Sequence, residues 1–192
     1  MKRTILAILA LSLTLVAKCQ LVDDFETNKL GWTEYSSSRS EAIIVEGHMH
    51  LVSKNDEEAF TVCYPAFDVT KNFEIKCEVL AKKIDDDKKF GIVIDYLDDY
   101  NYVVFLVSEG YALFKSVKEN KIVGRTYAPI KLKEQKKAVV ELSIKSSYQK
   151  VEFYVNGMKA LERRFLHMES NGIGFLAGGK QKIDFDNFKI IQ

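Results

Sequence analysis

The sequence predicts an all-β chain folded as an antiparallel two-sheet sandwich, and three observations lead there. Apolar and polar side chains alternate at period two, as in Phe73, Ile75, Cys77 and Val79 against Glu74, Lys76 and Glu78. Turn-forming residues recur at short intervals, at Asp98-Asp99, Glu109-Gly110, Glu119-Asn120 and Gly178-Gly179. Helical periodicity is nearly absent beyond the first 19 residues. Many short strands with regular turns pack as two sheets or close as a barrel.

The first segment is expected to be an export signal, residues 1–19. Met1-Lys2-Arg3 is a positive n-region, and the apolar run from Ile5 to Ala17 spans about 13 residues, too short to cross a bilayer comfortably. Cleavage after Ala17-Lys18-Cys19 makes Gln20 the first residue of a secreted or periplasmic chain. The rival is a lipoprotein acylated at Cys19, which meets Lys18 where such sites want a small residue. Loss of Lys2, Arg3 and Lys18 turns 28 basic and 27 acidic side chains into 25 and 27. A nearly neutral chain with scattered lysines lacks the footprint of a nucleic-acid binder, so that partner is not expected. No second long apolar run follows, so no transmembrane segment is expected beyond the signal. Residues 20–192, about 173 in all, suit a single domain.

Along that domain, "IIVEGHMHLV" reads as two strands joined at Glu46-Gly47. Met49 and Leu51 fall on one face, inward, which leaves His48 and His50 outward without a third ligand. Metal binding through imidazole needs several converging ligands. A cupin-type metal site would need a Glu closer than Glu57, and His167 lies in an unrelated context, so no metal is expected here. "AFTVCY" sets Phe60, Val62 and Tyr64 opposite Cys63, whereas Cys77 lies on the apolar face of its strand. On those phases the two sulfurs point apart, and free thiols are favoured over a bridge. Strands follow at 88–97, 101–108, 111–118 and 121–127. "KAVVELSIKSS" and "VEFYV" continue the alternation. Asn156-Gly157 marks a two-residue hairpin, since both residues tolerate positive φ. Strands at 158–166, 171–177 and 182–191 complete the chain.

The stretches "LVDDFETNKLGWTE", "IIVEGHMHL", "NFEIKCEVLAKK", "FGIVIDYLDDYNYVVFLVSEGYALFK", "VEFYVNGMKAL", "NGIGFLAGG" and "IDFDNFKII" stand in an order and spacing that span almost all of residues 20–192. Together they resemble the concanavalin A-like lectin/glucanase superfamily, and more narrowly the laminin G-like jelly-roll domains of secreted Bacteroidetes proteins. The resemblance implies a jelly roll of two antiparallel sheets with about six or seven strands each, packed about 10 Å apart.

That superfamily includes glycoside hydrolases, whose laminarinase-type members carry Glu-x-Asp-x-x-Glu on one strand, because hydrolysis needs two carboxylates facing the scissile bond. Here the nearest stretch, Glu74-Ile75-Lys76-Cys77-Glu78, has Lys in place of the middle Asp. "FGIVIDYLDD" departs likewise from the Asn-Ser-Gly pattern of keto-disaccharide hydrolase relatives, and no nucleophile elbow is present. Catalysis is therefore not expected. No cofactor is expected either. Ca²⁺ held by Asp23-Asp24 and Asp184/Asp186, if the terminal strands pair, is the open alternative, against the reading of these acids as turn and edge residues. "IDDDKK" and "DYLDDYN" lack the pattern of a calcium loop.

One region breaks the alternation. Strands 90–97, 101–107 and 111–117 are apolar on both faces, whereas an antiparallel sheet facing water is normally polar on one. With Phe90, Ile92, Ile94, Val103, Phe105, Ala112 and Phe114 in the core, the other face presents Val93, Asp95, Tyr102, Val104, Leu106, Tyr111, Leu113 and Lys115. Tyrosine rings stack on sugar C–H faces, and Asp95 and Lys115 would fix orientation. Asp95, Tyr102, Tyr111 and Lys115 are thus the candidate ligand-binding residues. Trp32 joins them, although it fits equally as a core anchor, and the face itself could instead be roofed by loops of the same chain. Glycan or envelope recognition leads among the functions, a protein-interaction or structural envelope module is the alternative, and a glycoside hydrolase comes third.

Overall fold

The alternation resolves into fifteen strands and no helix in a computed structural model that describes residues 20–55, 57–81, 84, 87–132, 138–148, 150–164 and 167–192. The expected signal, with Cys19, lies outside the described residues, as do Asp85 and Asp86 of "IDDDKK".

The larger sheet runs β13 (Met158–Arg164), β12 (Lys150–Val155), β11 (Ala138–Ser147), β6 (Phe73–Ala81), β15 (Gln181–Ile191), β4 (His48–Ser53), β3 (Ser40–Val45) and β2 (Tyr35–Ser36), with β1 (Gln20–Asp23) also paired to β15. The smaller runs β10 (Lys121–Pro129), β9 (Tyr111–Lys118), β8 (Asn101–Val107), β7 (Lys89–Asp98), β14 (Ile173–Gly178) and β5 (Ala59–Cys63). All pairings are antiparallel, and the partners of β6, β7 and β15 lie far apart in the chain. Nine and six strands replace the six or seven per sheet that the resemblance implied. The surplus includes β1 and β2, four and two residues long, too short for their alternation to register in the sequence.

Hairpins form where backbone angles demand them. At Asn156-Gly157 both residues have positive φ (51° and 73°), as a type I′ turn requires. Glu46-Gly47 (51° and 72°) and Glu119-Asn120 (51° and 61°) share that geometry.

Between the sheets lies one apolar core, in which Trp32 is 2% exposed. Its ring stacks on Phe175 of β14 at 4.7 Å, and Phe175 stacks on Phe185 of β15 at 4.3 Å, so three aromatic layers tie the two sheets together. The indole N–H donates to Asp23 Oδ2 at 2.9 Å, and the Phe25 amide donates to Asp23 Oδ1 at 3.1 Å. Asp23 is itself fully buried. A buried carboxylate is tolerated because these donors satisfy it, and Lys29 Nζ stands 3.7 Å away.

The cysteine phases need correction. Cys63 and Cys77 both point into this core, from opposite sheets, and both are free. Cys63 faces inward with Ala59, while Val62 joins a second cluster on the outer side of the smaller sheet, against which Phe60 packs. Since "AFTVCY" is apolar on both sides, its alternation could not say which side is in. Burial pushes both thiols well above the usual cysteine range.

Asp23→Ala should destabilise the fold by about 2–4 kcal/mol in urea unfolding, because it strands the Trp32 indole and the Phe25 amide inside the core.

Candidate functional site

The outer face of the smaller sheet can be laid out from its registers. One row runs Val62, Gly174, Val93, Val104, Lys115 and Arg125 across β5, β14, β7, β8, β9 and β10. The row beside it runs Phe60, Leu176, Gly91, Leu106, Leu113 and Tyr127. Val62, Val93, Tyr96, Val104, Leu106, Leu113 and Leu176 form a second buried cluster here, with Phe60, Tyr102 and Tyr111 packed against it. The two-sided apolarity expected from the sequence is therefore real.

The cover over this cluster is uneven. At the β5–β7 end, Phe60 lies 5.2 Å from Tyr96 and 6.3 Å from Tyr102, centroid to centroid, so rings from β5, β7 and β8 converge over β14. Gly174 lets β5 come this close, since a Cβ there would stand 2.3 Å from the Thr61 carbonyl oxygen. Toward β10 the rings open out. Tyr127 is 53% exposed and meets Tyr111 edge-on at 5.6 Å. The face is thus roofed at one end by side chains of its own sheet, and opens toward β10, where Tyr111 and Lys115 are half-buried and Arg125 and Tyr127 exposed.

A bulge decides which side chains of β10 reach that surface. Ile122 pairs with Val117 and Gly124 with Ser116, leaving Val123 as the extra residue. Without it Arg125 would oppose Phe114 and turn toward the core. With it Arg125 opposes Lys115, and Tyr127 opposes Leu113.

Of the sequence candidates, Tyr102, Tyr111 and Lys115 stand on this face, half-buried. Lys115 Nζ sits 5.6 Å from the Tyr102 ring centroid, and the Arg125 guanidinium 5.8 Å from that of Tyr127. Burial holds the Lys115 ammonium below the usual lysine range; Lys89 and Arg125 depress it further, while Glu58 opposes them. Burial, then Glu58 and Asp99, pushes the Tyr102 hydroxyl up.

Asp95 and Trp32 are placed differently. Asp95 has φ 52° and lies at a second irregularity, between Ile94 and Asp98, which breaks the simple alternation expected along β7. Its Oδ1 accepts the amides of Glu169 (2.7 Å) and Ser170 (2.9 Å). Burial raises its pKa, against those two amides. The carboxylate thus pins the 169–170 loop beside β7. Trp32 is the core anchor described above.

Arg125, Tyr127, Lys89 and Glu58 were missed in the sequence. Arg125 and Tyr127 depend on a one-residue bulge that leaves no compositional mark. Lys89 and Glu58 form an ion pair at 2.9 Å across strands far apart in the chain. Tyr64, 56% exposed and 6.4 Å from Tyr96, was visible in the alternation of "AFTVCY", but its outward direction was not.

The histidines lie on the outer face of the larger sheet, as expected. His50 Nδ1 hydrogen-bonds Asp184 Oδ1, its cross-strand partner. His48 Nδ1 lies 2.7 Å from the Glu46 carbonyl, and its Nε2 lies 3.9 Å from Asp186. The terminal strands do pair, yet Asp23 points into the core beneath Trp32. Among the described residues no three His, Cys, Asp or Glu side chains are grouped to hold a metal. No helix there is long and apolar enough to cross a membrane.

No protein-family model matches the chain, and no curated protein matches it in sequence. Solved structures do match in shape. A carbohydrate-binding module, CBM66, from Bacillus subtilis is 13% identical over 83% of this chain and 94% of its own, with a TM-score of 0.60. The Emp47p carbohydrate recognition domain is 14% identical over 90% of this chain and 94% of its own (TM-score 0.63). A xylan β-1,4-xylosidase from Bacillus halodurans is 17% identical over 89% of this chain but only 39% of its own (TM-score 0.64). These likenesses establish the concanavalin A-like jelly-roll fold.

Two outcomes follow from the geometry. Lys115→Met should raise the urea midpoint at pH 7, because the fold disfavours the ammonium and methionine removes that cost. A lysine depressed in the folded state weakens the fold below its folded pKa, and the effect fades as pH rises to the unfolded value. The charge-dependent part of the gain should therefore vanish above about pH 10.5. On the larger sheet, His48→Ala/His50→Ala should shift stability by less than about 1 kcal/mol, as expected for partly exposed His–Asp pairs.

Proposed function

We propose that this chain is an exported, non-catalytic glycan-binding module, and that sugar rings dock on the outer face of β8–β10. The observation that carries the reading is the open margin of the second cluster, where the half-buried Tyr102 and Tyr111 and the exposed Tyr127 present aromatic surface beside Lys115 and Arg125. Such a surface offers a sugar both C–H stacking and polar anchoring. Two of the similar solved structures are named for carbohydrate binding, which supports the same class. Export rests on the signal-like residues 1–19. The single domain 20–192 and its kinship with laminin G-like jelly rolls of secreted Bacteroidetes proteins rest on the ordered stretches quoted above.

The carboxylates around the face support a binding rather than a hydrolytic role. Glu58 is engaged by Lys89, and Asp95 by the 169 and 170 amides. Asp99 accepts the Tyr96 hydroxyl at 2.6 Å. Each of these acids is engaged by a partner of this chain, whereas glycoside hydrolysis needs a pair of carboxyl groups turned to the substrate.

A glycan array probed with the wild type and with Tyr102→Ala/Tyr111→Ala tests the reading. Binding to a defined glycan, weakened about tenfold or more in the double variant, is the expected result. A protein that self-associates and is silent on every glycan would replace it with the protein-interaction module. Release of reducing sugar would replace it with a hydrolase.

A further inference from the structure

We infer that the glycan taken by this face is acidic, with a carboxylate or sulfate group seated on the Lys115–Arg125 pair. The inference rests on the glycan-binding reading above and adds the charge of the ligand. Lys115 and Arg125 are directly opposed across β9 and β10, side by side on the outer face. Like charges directly opposed on neighbouring strands destabilise a sheet unless something neutralises them.

Among the described residues neither has a carboxylate partner. Lys115 contacts the Tyr102 ring and Arg125 the Tyr127 ring, whereas the nearby acid Glu58 is taken by Lys89. The charge is therefore held beside aromatic surface with no carboxylate in direct contact, and Glu58, already paired with Lys89, acts on Lys115 only from a distance. The outer face of the larger sheet is arranged otherwise: Lys76 and Lys145 lie within 3.5 Å of Glu74, and Lys150 and Lys159 of Glu152 and Glu162. Those four lysines each meet a carboxylate, whereas Lys115 and Arg125 meet aromatic rings.

Chemically the pair suits an oxyanion on a sugar. A guanidinium presents a planar fork of N–H donors that matches a carboxylate or sulfate, and an adjacent ammonium adds a point charge. Tyr102 and Tyr127 hold these two cations beside the exposed part of the face, so a sugar ring lying next to either tyrosine would carry its acidic substituent to them. Binding would also relieve the mutual repulsion of Lys115 and Arg125.

Titration calorimetry with matched probes tests this: hexagalacturonate against its methyl ester, and a chondroitin sulfate hexasaccharide against its desulfated, carboxyl-methylated counterpart. At least one acidic probe should bind about tenfold tighter than its neutral partner at about 50 mM NaCl. A response to hexagalacturonate identifies a uronate carboxylate as the group recognised; a response to chondroitin sulfate that is lost with the hexasaccharide desulfated alone, which keeps its carboxylates, identifies sulfate. Lys115→Gln/Arg125→Gln should abolish that preference, and Lys115→Arg/Arg125→Lys should retain it. Equal binding of acidic and neutral partners, or a preference that survives the glutamine pair, would overturn the inference. In either case, a loss of binding in Tyr102→Ala/Tyr111→Ala would leave the glycan-binding reading standing. Silence toward acidic and neutral probes, here and across the array, would overturn both.

Discussion

The register of β8, β9 and β10 is the constraint from which the properties of the accessible face follow. Side chains alternate with period two, so a slip of one residue would exchange Lys115 for Phe114 and turn a surface into a core. Two local features hold the register. The Glu119-Asn120 turn, with φ of 51° and 61°, fixes Lys118 opposite Lys121, and the extra Val123 then shifts the phase of β10 by one. After the shift Thr126 and Ala128 look inward, where Arg163 Nη1 donates to Thr126 Oγ1 at 2.9 Å and Ala128 packs on the main core. Arg125 and Tyr127 are left outside. The chemistry of the face is thus set by backbone geometry several residues away from it.

That geometry explains what the sequence could and could not disclose. Long strands with charged outer faces were legible: β6 follows its alternation over nine residues, and β15 follows it on either side of an irregularity at Asn187 (φ 51°) that shifts the phase by one, because burial on one side alone selects that pattern. The outward histidines were legible for the same reason, since Met49 and Leu51 are both fully buried beside them. The apolar outer face of β7–β9 was also visible, as an excess of hydrophobic residues that one core could not absorb. Direction failed where both phases were equally apolar, as at Phe60 to Tyr64. It failed again at Asp95 and Arg125, where an irregular backbone breaks period two.

Stability and ligand chemistry meet on the smaller sheet. Its inner side is held by the Trp32–Phe175–Phe185 stack, built from residues of the inter-sheet core. With the sheet fixed from within, the outer face can carry two opposed cations without a directly paired carboxylate and an exposed Tyr127, features a single-sided sheet of marginal stability would not tolerate well. Carboxylates that could have neutralised them act locally instead: Asp95 holds a loop, and Glu58 ties β5 to β7 through Lys89.

The two thiols bear on a different question, the conditions under which the chain can mature. Cys63 and Cys77 stay protonated inside the sandwich, and a protonated, enclosed sulfur is a poor partner for exchange with oxidants. Among the described residues no disulfide joins the two layers of the jelly roll. Pairing of Cys63 with Cys77 is thus no part of the native shape, and the packing of residues 20–192 should be the same under reducing and oxidising conditions.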